Sequence, residues 1–441
     1  MKKFAVVAAC LLGLLSACGG DDSSEVADTT QAADTSTPAQ IANPASEYCT
    51  QMGGKSEVVD EANGQVGYCT LPDGSRIDEW EYFNAQGVPV ETDLTTTVDP
   101  DYAGTVGWFP AVAIGTDGFA IMSHHDRENG DLKVTHCNDA TCSTSTTTVL
   151  DTFAETGLYS AIAIGSDGLA IISSQNRNKG DLHITHCSNI DCSESITTPV
   201  DTEGDVGWDT AIAIGTDGLA YISHHDNENG TLRLTRCSNV ECTEANTVVV
   251  DDSPEVGWFT SMAIGTDGLP IIAYQDETNT ALKVAHCENA DCTEATITTA
   301  DDSGDVGQET SIAIGPDGLA YISHIDYENS VLKLTRCSNA ACTASITSEP
   351  APDFKAGVGS SIIFSDGKPL IVHFDADSNA LLGTACADQT CSSATTTTID
   401  SSPGAGWTSI ALREDGLPAI SYLHSSVNNL RLILCKTPTC S

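Results

Sequence analysis

A chain of 441 residues has room for one large domain and one small one, and 62 Asp plus Glu against 18 Lys plus Arg give it a formal charge of −44. A field of that sign repels phosphate backbones and anionic lipid, so nucleic acid is excluded as an expected partner. The 18 cysteines fit the oxidising space outside the cytoplasm, where disulfides persist.

At the N-terminus, Lys2 and Lys3 precede an apolar run from Phe4 to Leu15. The run is too short to span a bilayer as a stable helix and suits a cleaved export signal. It ends in Leu15-Ser16-Ala17-Cys18, which resembles the lipobox of bacterial lipoproteins. The resemblance implies cleavage after residue 17, acylation of Cys18 and attachment to the membrane through that lipid. Gly19 stands where an Asp would suggest inner-membrane retention, so the outer membrane is the expected location, facing the periplasm or the cell surface. Residues 18–40 are mostly Gly, Asp, Ser, Thr and Ala; they bury too little apolar area to fold and read as a flexible tether.

Residues 41–87 form a compositional island around Glu47-Tyr48-Cys49, Gly53-Gly54, Gly67-Tyr68-Cys69-Thr70-Leu71-Pro72-Asp73-Gly74 and Glu79-Trp80. These motifs resemble a short bacterial domain of unknown function that carries a haemolysin label. That family usually shows four cysteines, whereas Ile77 and Gly87 stand near the third and fourth positions here. The resemblance therefore implies one remaining bridge, Cys49–Cys69, which closes a loop of about 20 residues and stabilises by roughly 3 kcal/mol. Residues 88–93 read as a linker.

From residue 94 to 441 the chain repeats itself. The first cysteine of each unit falls at Cys137, Cys187, Cys237, Cys287, Cys337, Cys386 and Cys435, and the second at Cys142, Cys192, Cys242, Cys292, Cys342, Cys391 and Cys440. The spacing of 49 or 50 residues predicts seven units, each with its own disulfide. Within a unit, as in Thr210–Ile214, Leu219–His224, Leu232–Cys237 and Asn246–Val250, four short apolar runs are separated by turn residues. Four-stranded units at this period predict an all-β, seven-bladed β-propeller resembling repeats of uncharacterised secreted bacterial proteins; a β-sandwich and an open solenoid are the rival folds. The last unit has no fourth strand after Cys440, and Leu94–Val98 resembles the missing piece, so the N-terminal segment is expected to close the ring. The bridges span short loops, are worth about 2 kcal/mol each, and read as local staples that do not join blades. Zinc ligation by these pairs has no second pair within reach to support it.

In a propeller, the loops after strands two and four share one rim, which makes that rim the binding candidate. Trp108, Leu158, Trp208, Trp258, Gln308, Val358 and Trp407 open the first strands there. His124, Ser174, His224, Tyr274, His324, His373 and Tyr422 end the second strands. Such columns either stack sugars and hold cations or solve a packing problem common to every blade. Residues that depart from the repeat mark a unique site better: His125, Arg127, Tyr159, Gln175, Arg177, Asp209, His225, Gln275 and His424. Propeller sialidases need three inward arginines and a Ser-x-Asp-x-Gly-x-Thr-Trp box, and this chain lacks the box. No G-x-S-x-G or H-E-x-x-H motif occurs either. The sequence alone therefore favours a monomeric, non-enzymatic binding or scaffolding module whose ligand is a glycan or an envelope protein. A polysaccharide hydrolase or lyase and a calcium-dependent adhesion or structural protein are the alternatives.

Overall fold

The computed structural model describes residues 49, 54–61, 64–71, 74–78, 95–98, 105–152, 155–355, 359–401, 404, 406–425 and 428–440. The export signal, Cys18, the tether, the linker at 88–93, Leu94 and Val358 lie outside them. The chain divides into two compact units, Met1–Pro89 and Val90–Ser441.

The first unit holds a three-stranded antiparallel sheet of Lys55–Glu61, Gly64–Thr70 and Arg76–Asp78. Cys49 and Cys69 are bridged and fully buried. Gly54 passes directly over the bridge, where an added Cβ would sit 2.7 Å from the Cys69 sulfur. Ile77, at the family's third cysteine position, pairs in register with Cys69 and extends the sheet.

The second unit contains seven four-stranded antiparallel sheets among the described residues. Six follow one another in sequence: blade one spans Trp108–Asp151, blade two Leu158–Asp201, blade three Trp208–Asp251, blade four Val256–Asp301, blade five Gln308–Ser348 and blade six Ser361–Asp400. Blade seven combines Thr408–Leu412, Pro418–His424 and Asn429–Leu434 with Thr95–Val98, and Arg431 faces Val98 in the register. The N-terminal strand thus completes the last blade. The short fourth strand of blade five, Ser345–Ser348, stops just before Pro350 and Pro352, which have no amide to donate to a ladder.

Seven apolar clusters lie between neighbouring blades, and one of them joins Leu430, Leu432 and Leu434 of blade seven to Val112 and Met122 of blade one. Second strands have both faces covered, and every residue of Ala220–Asp226 is buried. All seven repeat cysteine pairs are bridged. Their expected role as purely local staples needs correction. Cys137 and Cys142 pack with Leu432 of blade seven, and Cys187 and Cys192 pack with Leu132 and Val134 of blade one. Each bridge ends the third strand on the side facing the preceding blade, so its sulfurs become apolar filling of the boundary.

The Val-Gly step that opens most units is a packing device as well. Gly157 has φ +81°, and a Cβ there would lie 2.8 Å from Leu132 Cα of the preceding blade. Gly416 has a similar φ of +77° in an exposed turn, with nothing within 4 Å. Gly157→Ala is expected to destabilise by about 3 kcal/mol, through strain plus backbone collision. Gly416→Ala should cost only about 1 kcal/mol. Equal denaturation midpoints for the two variants would refute the close-packing role of Gly157.

Candidate active site at the channel mouth

The first strands line the central axis, and in blades one to five each begins with a bulge. In blade one, Trp108 faces His125 and Ala111 faces Ser123, which leaves one extra residue on the inner strand. The residue after the strand's opening position takes a left-handed backbone: Phe109, Tyr159, Asp209, Phe259 and Glu309 have φ between 49° and 53°. This breaks the alternation of the strand and re-aims one side chain per blade. A belt of hydroxyls pins the distortion. Ser160 donates to the Phe109 carbonyl at 3.0 Å, Thr210 to that of Tyr159 at 2.7 Å, and Ser360 to that of Glu309 at 2.8 Å.

The re-aimed side chains meet across blades. Phe109 lies 4.5 Å from the Tyr159 ring and 4.3 Å from Trp407, Trp108 lies 5.1 Å from Trp407, Tyr159 5.4 Å from Trp208, and Trp208 6.1 Å from Trp258. An arc of partly exposed aromatic rings therefore runs from blade seven through blades one, two and three to blade four.

Two carboxyl groups complete the bulge positions. Asp209 accepts the Phe259 amide at 2.9 Å, and Glu309 accepts that of Gly359. Each keeps some accessible surface, yet the converging strands desolvate it, and burial raises the Asp209 pKa to about 6. Glu309 rises to about 7, first through burial and then through the charge of Asp209. The phenol of Tyr159 is raised by burial and by the charge of Asp209, and it also senses Glu309 from blade five. Tyr159 therefore stays protonated and a hydrogen-bond donor. Side chains from blades two, three and five thus share one electrostatic environment where the inner strands converge.

The other candidate residues divide into rim and support. Arg127 and Arg177 are exposed; Arg127 lies 4.4 Å from the Trp108 ring and Arg177 lies 5.6 Å from the Trp208 ring. His124 and His224 are fully buried inside their blades, where Nε2 meets Thr135 at 3.0 Å and Thr235 at 3.1 Å. Those hydroxyls continue to Thr147 and Thr247 on the fourth strands. They serve the sheet and are not presented to a ligand.

His125 and His225 are also buried, and their Nδ1 atoms donate to the carbonyls of Thr156 and Val256 in the next loop. The His225 ring lies 3.9 Å from Trp258 and supports it from below. Gln175 does the equivalent by donating to Val206 O, Gln275 is buried at the same position, and His424 is buried beside Tyr422 in blade seven. The strand-end aspartates cap the following turn and hold a buried cation: Asp226 accepts the Asn229 amide and pairs with Arg233 at 2.5 Å.

Phe109 and Glu309 were not among the sequence candidates. Their signal was the column after the Trp positions, which runs Phe109, Tyr159, Asp209, Phe259, Glu309, Gly359, Thr408 and varies more than its neighbours. A shallow pocket lined by Ala385, Cys386, Thr395, Thr397 and Thr439 lies on the outer strands of blade six and holds no titratable group. Among the described residues, no group of three or more His, Cys, Asp or Glu side chains is placed to hold a metal ion.

Residues 40–86 match a family model described as a domain of unknown function, DUF333. Over 80 residues the chain is 40% identical to the uncharacterized protein YoaF of Escherichia coli strain K12, covering 18% of this chain and 86% of YoaF. The chain belongs to the DUF333 family. The DUF333 segment accounts only for the small unit, and the propeller lies beyond it.

Two solved structures resemble the larger part of the chain. The polysaccharide lyase Uly1 gives a TM-score of 0.50 at 12% identity, over 77% of this chain and 90% of that one. The periplasmic gluconolactonase PpgL of Pseudomonas aeruginosa gives 0.53 at 14% identity, over 73% and 93%. At these identities the likeness shows the fold, and the chemistry has to be read from the side chains.

Proposed function

We propose that the propeller binds a polysaccharide across its aromatic arc and hydrolyses a glycosidic bond over Asp209 and Glu309. The observation that carries this reading is a pair of carboxyl groups on the inner strands of blades three and five, both desolvated and both raised toward neutral pH, beside an arc of rings. Aromatic faces stack on the apolar faces of sugars, and two carboxyl groups in different protonation states are what glycoside hydrolysis requires. The charge of Asp209, once ionised, helps to hold the proton on Glu309. Glu309 then protonates the leaving glycosidic oxygen as the bond from that oxygen to the anomeric carbon breaks. Asp209 takes the proton of the attacking water, whose oxygen forms the new bond to that carbon. Solvent returns the proton from Asp209 to Glu309. Tyr159, protonated beside them, has its hydroxyl proton to offer the sugar.

The bulge itself does not need an acid: Phe109, Tyr159 and Phe259 occupy it with the same backbone. That comparison moves the preference from passive binding toward cleavage. The names of the two similar folds, a polysaccharide lyase and a gluconolactonase, agree with a saccharide substrate. The capping bonds from Asp209 and Glu309 to the next blade's amide favour the second reading, in which the arc binds glycan without turnover.

The test is a panel of neutral and acidic polysaccharides, read by release of reducing ends and by retention on immobilised glycan. New reducing ends from at least one member are expected, with Trp208→Ala weakening retention. Retention without new ends would leave the second reading, and no retention of any member would remove both.

A further inference from the structure

Around the channel mouth the charge is not evenly spread. The residue after the second strand is Arg127 in blade one and Arg177 in blade two, but Asn227, Glu277 and Tyr327 in blades three to five. The backbone holds these positions alike: the amides of Arg127, Arg177, Asn227, Glu277 and Tyr327 all donate to a carbonyl of the preceding loop, at 2.8 or 2.9 Å. Among the described residues, neither arginine meets a carboxylate, although the chain carries 62 acids. Elsewhere in the ring, cations are taken up: Arg233 pairs with Asp201 and Asp226, Arg236 with Asp217 and Asp291, and Arg336 with Asp317. The two arginines instead lie over Trp108 and Trp208, within the aromatic arc. Acids lie beside every one of these positions, Asp205 accepting the Trp208 ring N–H, but at the position itself blade four carries Glu277, raised by burial and then by Glu255 and Asp305 beside it.

We infer that the saccharide carries an anionic substituent, a uronate carboxylate or a sulfate ester, bound by Arg127 and Arg177 beside the sugar-stacking rings. The inference rests on the proposed carbohydrate site and names its substrate class. A guanidinium spread on an indole face leaves its N–H edge free for a bidentate contact with carboxylate or sulfate. Glu277 at the same position of blade four repels such a group, so the sugar's anion settles over the arginines of blades one and two while the chain crosses Asp209 and Glu309. At physiological ionic strength the remaining negative charge acts only over about 8 Å, and the local arginines decide the sign.

The experiment measures affinity for four probes with the full chain and with Arg127→Gln/Arg177→Gln. These are an oligogalacturonate, its carboxyl-reduced neutral counterpart, a sulfated glucan oligosaccharide and the unsulfated glucan. The expected result is roughly tenfold or greater preference for one charged probe over its neutral partner in the native chain. The double variant should lose that preference and keep its affinity for the neutral partner. The carboxylate and sulfate arms identify which anion is recognised. Equal affinity within both pairs, or a preference unchanged in the variant, overturns the anionic substrate while leaving the carbohydrate site standing. Failure to bind any of the four overturns the carbohydrate reading on which the inference rests.

Discussion

Asp209→Asn and Glu309→Gln will each lower polysaccharide turnover by at least a hundredfold while leaving the fold and glycan retention intact. Proton transfer by a positioned carboxyl contributes roughly 100- to 10,000-fold to such reactions, and either amide removes one partner of the pair. Both replacements keep shape and a hydrogen-bonding oxygen, so the amides of Phe259 and Gly359 can remain capped. The pH dependence gives a second reading of the same pair. On the proposed mechanism, activity needs one carboxyl of the pair ionised and the other protonated, and burial raises both, to about 6 and about 7. The kcat/KM profile should therefore be a narrow bell centred between these values, with the limbs belonging to the pair and not to either residue alone. Glu309→Gln should erase the alkaline limb of whatever activity remains. A profile flat from pH 5 to 8, or full activity in either variant, would remove the carboxyls from the chemistry.

The propeller is expected to lose stability between pH 6.5 and 4. His224, His225, His324 and His373 are lowered to about 4 and His124 to about 3, in every case chiefly because burial disfavours the imidazolium. Folded values below the unfolded value mean that the unfolded chain binds more protons as pH falls. Their contribution is thus full above pH 6.5 and is lost progressively down to about pH 4. A shift of more than two units is worth about 3 kcal/mol for one imidazole, and the raised carboxyls of Asp209 and Glu309, which gain stability as they protonate, offset part of the combined loss. The carboxylates act lower. Asp126, held by Lys133 and Asn129, titrates at about 2 in the fold, and its share is lost only below pH 4. Melting temperature measured from pH 7.5 to 4 should fall steeply below 6.5, well before the strand-end carboxylates protonate. A flat melting temperature down to pH 4 would show that these histidines are not buried neutral.

The two results bear on each other. The acid limb of the activity profile near pH 6 sits where imidazole protonation begins to weaken the ring. Activity must therefore be recorded alongside circular dichroism at each pH. Loss of activity with retained structure belongs to the carboxyl pair, and loss of both belongs to the histidines.

The histidines also show how far a column can be read from sequence. His124, His224, His324 and His373 recur at one strand position, and recurrence favoured a shared packing solution over a ring of ligands. The Thr hydroxyls that decide between them lie 11 residues away in sequence and on the neighbouring strand. Nothing in the His column itself shows that its imidazole turns into the sheet. Trp108, Trp208 and Trp258 had the same ambiguity, and the structure leaves their rings partly exposed, with Trp208 against Trp258 and Trp108 against Trp407. Glu309 is the instructive omission. Its neighbour Gln308 occupies the Trp column, so blade five looked like a weakened copy of the repeat when its next residue is half of the carboxyl pair.

By itself the sequence determined the number of blades, their strands, their bridges and the strand that closes the ring. Blades, strands and repeat bridges depend on local pairing, which a period of about 50 residues records seven times over, and the closing strand was legible as the piece missing from the seventh unit. It also marked Tyr159, Asp209, Arg127 and Arg177 as departures from the repeat. Only the tertiary structure decided which departures belong together. Asp209 and Glu309 are 100 residues apart, and they share a proton environment because ring closure brings the first strands to a common axis. The direction of their side chains depends on a left-handed bulge residue, which breaks the period-two rule that makes strand faces legible. Burial by neighbouring blades, and not residue type, then sets the protonation that the chemistry would use.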